Sequence, residues 1–290
     1  MAFMIDYEDN WQEGYIDLCN RVARNGHVRA SRVGETMEMR DYVFTLGPDA
    51  LDAPLGTDRR MHMALGAAEA IQLCAGVGFP ELTNATSSQI AAFVTDPDGT
   101  IHGNYGKRVG FQLVDVVTKL NVDRSTRQAV IAVWDHQKDS AFRRPMPKDI
   151  PCTLSITFSA SSGALDMSVT MRSNDVWLGV PYDVFQFRQL QRTISNVTGI
   201  LMGEYTHHAV SMHAYDKDLA GINRLEPQSD GRGGSKGEFD YLPNGLHPAG
   251  GVGDLPACLF RILRGEDVGP PSHEWYHQQL GKAYGTTNVG

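Results

Sequence analysis

Cysteine is scarce in this chain. There are four in 290 residues, Cys19, Cys74, Cys152 and Cys258, and no two form a C-x-x-C pair. That excludes a disulfide scaffold and leaves a cysteine zinc site without its ligand spacing, so no metal and a reducing, cytoplasmic setting are expected. Basic charge is short too: 26 Lys and Arg stand against 34 Asp and Glu, a net charge of −8. A broad basic face for duplex nucleic acid is therefore not expected, although a few arginines suffice for a small phosphate site. No apolar run approaches the ~18 residues that suggest a membrane span. The first residues, Met1 to Glu8, turn acidic at once and lack the basic n-region of a signal peptide. The remainder is ordinary for a globular chain, 41% hydrophobic and 21% charged, enough to bury a sizeable core. No repeat and no clean boundary break it, so one domain over 1–290 is expected, with a Gly- and Pro-rich loop insertion over 225–255.

Periodicity places the elements. Trp11, Tyr15, Leu18 and Val22 recur at helical spacing over 8–25, with Gly26 as a stop and Cys19 beside the stripe. The polar run Asn25 to Gly34 reads as a loop, and 36–46 as a strand. A second helix is predicted over 59–75 and closes at Gly76. Residues 77–104 are rich in turn signals. A helix follows from Val109 to Leu120, then a buried strand over 128–134. Residues 152–160 and 164–172 make a hairpin around Ser161-Ser162-Gly163, with Leu165, Met167, Val169 and Met171 on one face. A helix over 183–198 and a strand over 204–215 complete the reading. Strands and helices without a strict βαβ rhythm predict an α+β domain on a mainly antiparallel or mixed sheet with flanking helices.

The residues able to carry chemistry each have a plain alternative. Cys152 opens a strand after the basic stretch Arg143 to Lys148, where cations favour the nucleophilic thiolate; a small core residue is the other reading. Arg172-Ser173-Asn174-Asp175 can hold a phosphate or simply turn the chain. Asp183 has Gln186 three residues on, the spacing of a capping box. Glu69 lies on the apolar stripe of its helix between Leu65 and Leu73; buried, its pKa rises toward the range useful for proton transfer, and half-exposed it snorkels. His213 and Tyr215 share a strand face that can grip hydroxyls or face solvent, in a strand that also carries His207 and His208. The run Gly231 to Gly237 lacks the Ser or Thr and the strand of a phosphate-binding P-loop.

Taken in order, Pro151-Cys152, Arg172-Ser173-Asn174-Asp175-Val176-Trp177-Leu178-Gly179-Val180-Pro181-Tyr182-Asp183 and His213-Ala214-Tyr215 resemble the thymidylate synthase family, with matching spacing throughout. Glu69 with Gly76 resembles the family's glutamate helix. Asn104-Tyr105-Gly106 is similar to its Tyr-Gly motif, Arg29 to its N-terminal phosphate arginine, and Arg127 to the first of two arginines that reach across the dimer. The resemblance covers about residues 10–220. It implies a thymidylate-synthase-like fold and a sheet-to-sheet homodimer with shared active sites.

The departures point to one branch of the family. Asp183 stands where synthases carry Asn. A carboxylate accepts from the cytosine amino group and, unless protonated, cannot donate to uracil O4. Asp183 and the run from Met171 to Val176 resemble the deoxycytidylate hydroxymethylase branch. The cofactor-side tryptophans of synthases are missing between Gly76 and Tyr105, where Phe93 is the aromatic left once Phe79 is set aside. Gln128 replaces the second cross-dimer arginine, for which Arg124 or Arg32 could compensate. Thr287 to Gly290 does not resemble the synthase tail.

The resemblance then implies a (d)CMP 5-hydroxymethyltransferase that uses 5,10-methylenetetrahydrofolate and water, leaning to dCMP. Cys152 would attack C6, and Glu69 would organise the incoming water and relay protons, with Tyr105 in its water network. Asp183 would read the base. Arg29, Arg172, Ser173 and the partner's Arg127 would hold the phosphate. Asn174 and Asp175 would line the nucleotide site, His213 and Tyr215 would bind the sugar, and Asp175 with Gly179 would meet the folate. The alternatives are a CMP hydroxymethylase of nucleoside-antibiotic biosynthesis, synthase-type methylation of dUMP or dCMP, and a nucleotide-binding regulatory relative without catalysis.

Overall fold

In the computed structural model the described residues are 3–7, 11–50, 59, 63–76, 78, 94, 99, 101–142, 147 and 149–225. The expectations for 225–255 beyond Leu225, for Cys258, Phe79, Phe93, most of Arg143 to Lys148 and the last residues fall outside them.

One mixed sheet organises the molecule. Its strands are β1 (Phe3–Asp6), β2 (His27–Ser31), β3 (Gly34–Leu46), β4 (Val130–Ala132), β5 (Thr153–Ser159), β6 (Ala164–Met171), β7 (Asn174–Asp175) and β8 (Leu201–Tyr215). They run in the order β1-β3-β8-β6-β5-β4, with β2 added to β3 and β7 to β8. The β1–β3, β6–β8 and β7–β8 pairs are parallel and the others antiparallel. The helices are α1 (Trp11–Asn25), α2 (Met63–Ala75), α3 (Tyr105–Val109), α4 (Gln112–Val122), α5 (His136–Asp139), α6 (Val180–Thr198) and α7 (Asp216–Ile222). Among the described residues no helix is long and apolar enough to cross a membrane.

The predicted alternation of the hairpin holds: Leu165, Met167, Val169 and Met171 are all buried. So does the α1 stripe. Trp11 stacks on Phe44 of β3 at 5.2 Å, and Phe44 stacks on His207 of β8 at 4.9 Å. Helix α6 is buried even at polar positions. Its Gln191 Nε2 donates to Leu165 O at 2.8 Å where the β6–β8 register slips, and Arg188 Nη2 donates to Pro48 O and Ala50 O at 2.9 and 3.1 Å. These amide and guanidinium groups satisfy carbonyls that irregular backbone leaves unpaired.

Five local expectations are corrected. The stretch Asn25 to Gly34 is not a loop: β2 pairs with β3 as a hairpin turned at Arg32 and Val33. Its five strand residues are all exposed, so no hydrophobic alternation marks them. The helix predicted over Val109 to Leu120 is two, α3 and α4, broken at Gly110. There the backbone passes close to Gly76: a Cβ on Gly76 would lie 3.0 Å from Gly110 Cα. The second helix starts at Met63 and leaves Arg59 outside it. The buried strand over 128–134 is the short edge strand β4, with Val130 40% exposed. Finally, α6 begins at Val180 with Pro181 in its first turn, three residues before Asp183.

Candidate active site

The site forms where β6 leaves the sheet. After Met171 the chain kinks through Arg172 and Ser173, then rejoins as β7 beside β8, where Asp175 pairs with His213. Cys152 sits just ahead of β5 and is tied across to this kink by Arg172 N donating to Cys152 O at 2.8 Å. The Arg172 guanidinium braces the same segment, Nε to Pro151 O and Nη2 to Ile150 O, both 2.9 Å. Helix α1 reaches the far side of the kink, where the Tyr15 hydroxyl donates to Val176 O at 3.0 Å.

Next comes a tight turn. Asp175 Oδ1 accepts from Trp177 N at 2.8 Å and Leu178 N at 3.1 Å. Gly179 caps α6 without a side-chain hydrogen bond. A Cβ on Gly179 would lie 2.5 Å from Asn174 Oδ1 and 3.2 Å from Asp183 Oδ2, so glycine is what lets these two side chains approach the turn. Asp183 is therefore not an N-cap, and the capping-box alternative is overturned. It is a buried acid one turn into the helix. Gln186 Nε2 donates to its Oδ1 at 3.1 Å, and Asn174 lies beside it.

Electrostatics set the protonation states. Burial raises Asp183 to about 7 against the lowering effect of Gln186 and Asn174, and Asp175 adds to the rise. Glu69 on α2 is pushed up to about 8 by burial, then by the Asp183 and Asp149 charges. By its exposed surface Glu69 is half-buried, between the two alternatives. Burial also raises Tyr105, at the start of α3, and its ring stacks on Phe187 of α6 at 6.0 Å. Asn104 caps that helix by accepting from Lys107 N and donates to Gln72 Oε1 at 2.8 Å. Cys152 departs from expectation. Burial pushes its thiol up to about 11; Arg172 lowers it, while Asp183, Asp149 and Asp175 raise it further. In the free protein it is a thiol, not the thiolate that the local basic residues suggested.

On β8, His213 and Tyr215 share the helix-covered face, beyond the helices that bury Tyr205 and His207 on it. Their rings meet edge-on at 5.3 Å, and Ser173 Oγ lies 3.4 Å from His213 Nδ1. Arg29 stands on strand β2 instead of a loop, with Nη1 donating to Glu38 Oε1 at 2.5 Å; Ser211 bonds the same oxygen. Glu38 pairs with His213 across the sheet, so this arginine borders the sugar-binding candidates. Arg127 is exposed in the bend before β4, and among the described residues no hydrogen bond ties it to the others.

Three features were missed in sequence. Asp149 brings a third carboxylate to the site, half-buried against Gly103, whose Cβ would fall 2.2 Å from Asp149 Oδ2. Arg59 lies over the rings of Trp177 and Tyr182 at 5.3 and 5.6 Å. The Tyr205–His207–Asn174 chain is the third. Only the last left a trace: the alternation of β8 puts Tyr205 and His207 at inward positions. Among the described residues no group of His, Cys, Asp and Glu is arranged to hold a metal ion.

Comparison with known proteins gives the same direction. The thymidylate synthase family model matches residues 13–228. A protein of Pseudomonas phage M6 named deoxyuridylate hydroxymethyltransferase is 32% identical over 143 residues, 47% of this chain and 39% of that protein. One of Bacillus phage SP01 with the same name is 27% identical over 223 residues, 70% of this chain and 57% of that protein. The chain thus spans about half the length of these relatives.

Proposed function

The chain belongs to the thymidylate synthase family, and from that premise we propose that it is a pyrimidine nucleotide 5-hydroxymethyltransferase acting on a cytidylate, with dCMP favoured. Asp183 carries the reading of the base. It is buried, one turn into α6, and the Gln186 amide N–H holds one of its oxygens. As a carboxylate it accepts from the cytosine amino group.

Cys152 attacks C6 of the pyrimidine, which makes C5 nucleophilic. Because the free thiol is held up to about 11, its proton leaves during the attack, and the surrounding carboxylates are the acceptors within the site. 5,10-Methylenetetrahydrofolate supplies the one-carbon unit when bound. The residues present fit it: Asp175 spends Oδ1 on Trp177 and Leu178, keeps its second oxygen for a ring N–H, and lies two residues from the flat Trp177 side chain. Glu69, near neutrality at physiological pH, exchanges a proton with the water that becomes the new hydroxyl. Arg172 uses Nε and Nη2 on the Cys152 segment and offers Nη1 to the phosphate, with Ser173 beside it. Arg29 adds charge from the hairpin, and His213 and Tyr215 hold the sugar.

Two copies complete the site. The sheet face opposite the helices carries Ser155, Thr170, His208 and Val43 in one row and Thr157, Ser168, Thr206 and Thr45 in the next. All of these but Thr45 are half-exposed or exposed. The homodimer forms through this face and delivers Arg127 to the partner's phosphate.

A second reading has its own support. The relatives' names specify deoxyuridylate, and a protonated Asp183 offers the donor and acceptor that uracil requires. One experiment decides. Methylenetetrahydrofolate is supplied with dCMP, CMP, dUMP or UMP, and product mass is followed with dihydrofolate absorbance. Cytidylate gaining CH2O without dihydrofolate is the expected result. The same gain on dUMP establishes the second reading, and a gain of CH2 with dihydrofolate overturns hydroxymethylation. Cys152→Ser should abolish turnover in each case.

A further inference from the structure

Thr153 follows Cys152 directly, and its hydroxyl has no task in the chemistry above. Regular alternation would put its side chain on the sheet face opposite the helices, with Ser155 and Thr157. A bulge prevents this. Thr153 pairs with Met171, but Ser155 pairs with Thr170, so β5 has one extra residue, Leu154. Leu154 O accepts from Val133 N at 3.0 Å and Trp134 N at 3.1 Å, which fixes the irregularity from the β4 side. The slip turns Thr153 to the helix-covered face, in a row with Met171, Ala209 and Tyr42. Burial agrees: Thr153 is 0% exposed, while Ser155 and Thr157 are half-exposed.

Thr153 Oγ1 is buried and, among the described residues, has no hydrogen-bond partner. A buried hydroxyl without a partner is costly, so one is kept where a group from outside the chain meets it. Its neighbours in the sheet are already engaged. Met171 Sδ takes Asn174 Nδ2 at 3.0 Å, and that nitrogen also lies 3.0 Å from His207 Nε2. Burial holds His207 down to about 3, so its ring is a neutral acceptor for Asn174. In the helix layer stands Tyr105, half-buried at the start of α3, with its ring on Phe187 one turn beyond Asp183. Burial raises the Tyr105 phenol and Thr153 lowers it, yet no hydrogen bond closes between the two hydroxyls. Two neighbouring hydroxyls without a direct bond are the setting for a bridging water.

We propose that Thr153 is a positioning residue for water: its bulge-turned hydroxyl, with that of Tyr105, holds the molecule that adds to the one-carbon unit. The inference rests on the reading of the protein as a hydroxymethyltransferase. In the step concerned the pyrimidine carries an exocyclic methylene on C5 and Cys152 Sγ on C6. The water oxygen bonds to the methylene carbon, and its proton goes to the Glu69 carboxylate. The C5–C6 double bond re-forms as the C6–S bond breaks, and Cys152 leaves as a thiolate. Thr153 makes and breaks no bond. Its place beside Cys152 in the chain keeps the water near the carbon skeleton tied to that sulfur, and the bulge aims the hydroxyl.

The test uses the full chain with 5,10-methylenetetrahydrofolate and the nucleotide, dCMP or dUMP, that it turns over. Thr153→Val keeps the shape and removes the hydroxyl; Thr153→Ser keeps the hydroxyl. Tetrahydrofolate release in a single turnover reports the steps before water adds. Two readouts report the addition itself. One is the methylene-bearing Cys152–nucleotide adduct, seen by intact mass after acid quench. The other is the share of thioether product when 2-mercaptoethanol competes with water; its sulfur then bonds to the methylene carbon and its proton is released. Thr153→Val should raise the adduct or the thioether share about tenfold, the size of one hydrogen bond, with tetrahydrofolate release near the wild-type rate. Thr153→Ser should return both readouts toward wild type. Wild-type levels of adduct and thioether in Thr153→Val overturn the proposal. An equal fall of tetrahydrofolate release and product in that variant, with no adduct, also overturns it, because Thr153 then only supports Cys152. Should Thr153→Val fail to fold, Thr153→Ala decides on the same readouts. A wild-type chain that gives no hydroxymethyl product overturns the reading of the reaction, and the proposal with it.

Discussion

Glu69 and Asp183 are acids whose pKa burial raises toward neutrality, and the proposed function uses both. For Glu69 the ordinary value of 4.5 rises to about 8 on folding. Folding therefore favours the protonated form. The stability tied to this group is complete below pH 4.5 and is lost as pH rises through about 8. Glu69→Gln removes the penalty. It should stabilise the fold by about 1–3 kcal/mol at pH 8, a gain that has gone by about pH 4.5, while turnover falls by ~100-fold or more. Thermal melts at the two pH values, with activity at pH 7.5, check both halves; equal melting shifts at both pH values would show that Glu69 is not buried as an acid. For Asp183 the sign gives a second expectation. Ionisation near pH 7 should strengthen cytidylate binding as pH rises and weaken that of uridylate. A dCMP affinity flat from pH 5.5 to 8.5 would count against a titrating carboxylate at the base edge.

The elements matter here chiefly at their ends. The kink between β6 and β7, the turn into α6 and the entry to β5 are irregular backbone, and each is tied by hydrogen bonds that regular structure would have supplied. Gly179 is the tightest of these points. In Gly179→Ala the new methyl would press on Asn174 Oδ1 and, behind it, on Asp175 O at 3.0 Å. The turn should give way before the core does. We expect at least ~30-fold loss of nucleotide affinity, with a stability cost of about 1–2 kcal/mol. A substitution that lowers the melting temperature and leaves nucleotide binding intact would contradict this. Away from the nucleotide, Asp139 of α5 takes hydrogen bonds from Arg108 at 2.8 and 2.7 Å and lies 2.8 Å from His102 Nε2. Burial alone would raise the Asp139 carboxyl, but these partners hold it below its usual range. The network locks α5 to α3 and so fixes the helix that begins with Tyr105.

For the whole molecule the consequential surface is the hydroxyl-rich sheet face. A sheet face of Ser, Thr and His can pair with a copy of itself through side-chain hydrogen bonds and β-branched packing, and a two-fold axis makes such an interface self-complementary. Sedimentation of the chain should give a mass near twice 31.9 kDa. Thr170→Arg, at the centre of the face beside His208, should shift it to monomer and reduce turnover by at least tenfold, because each site would lose Arg127 of the partner subunit. A monomeric wild-type chain with full activity would end the shared-site reading.

Much of this was legible in residue order alone. The stripe of α1, the alternation of β5 and β6 and the run from Arg172 to Asp183 follow from local patterns, since side-chain period and turn chemistry are short-range properties. The same run carried the family resemblance, and with it Cys152, Glu69 and Asp183. Less visible were elements without a hydrophobic period: the exposed strand β2, the break at Gly110 and the short edge strand β4. Apart from the rise anticipated for a buried Glu69, the protonation states were hidden. Whether Cys152 is a thiol, Glu69 a neutral acid or His207 an uncharged acceptor depends on burial and on charges contributed by α2, β7 and β8, which come together only in three dimensions. The sequence by itself determined which chemical groups the site contains and in what order. Only the tertiary structure decided their charge and who supports whom, because electrostatic and hydrogen-bond energies depend on distances between residues far apart in the chain.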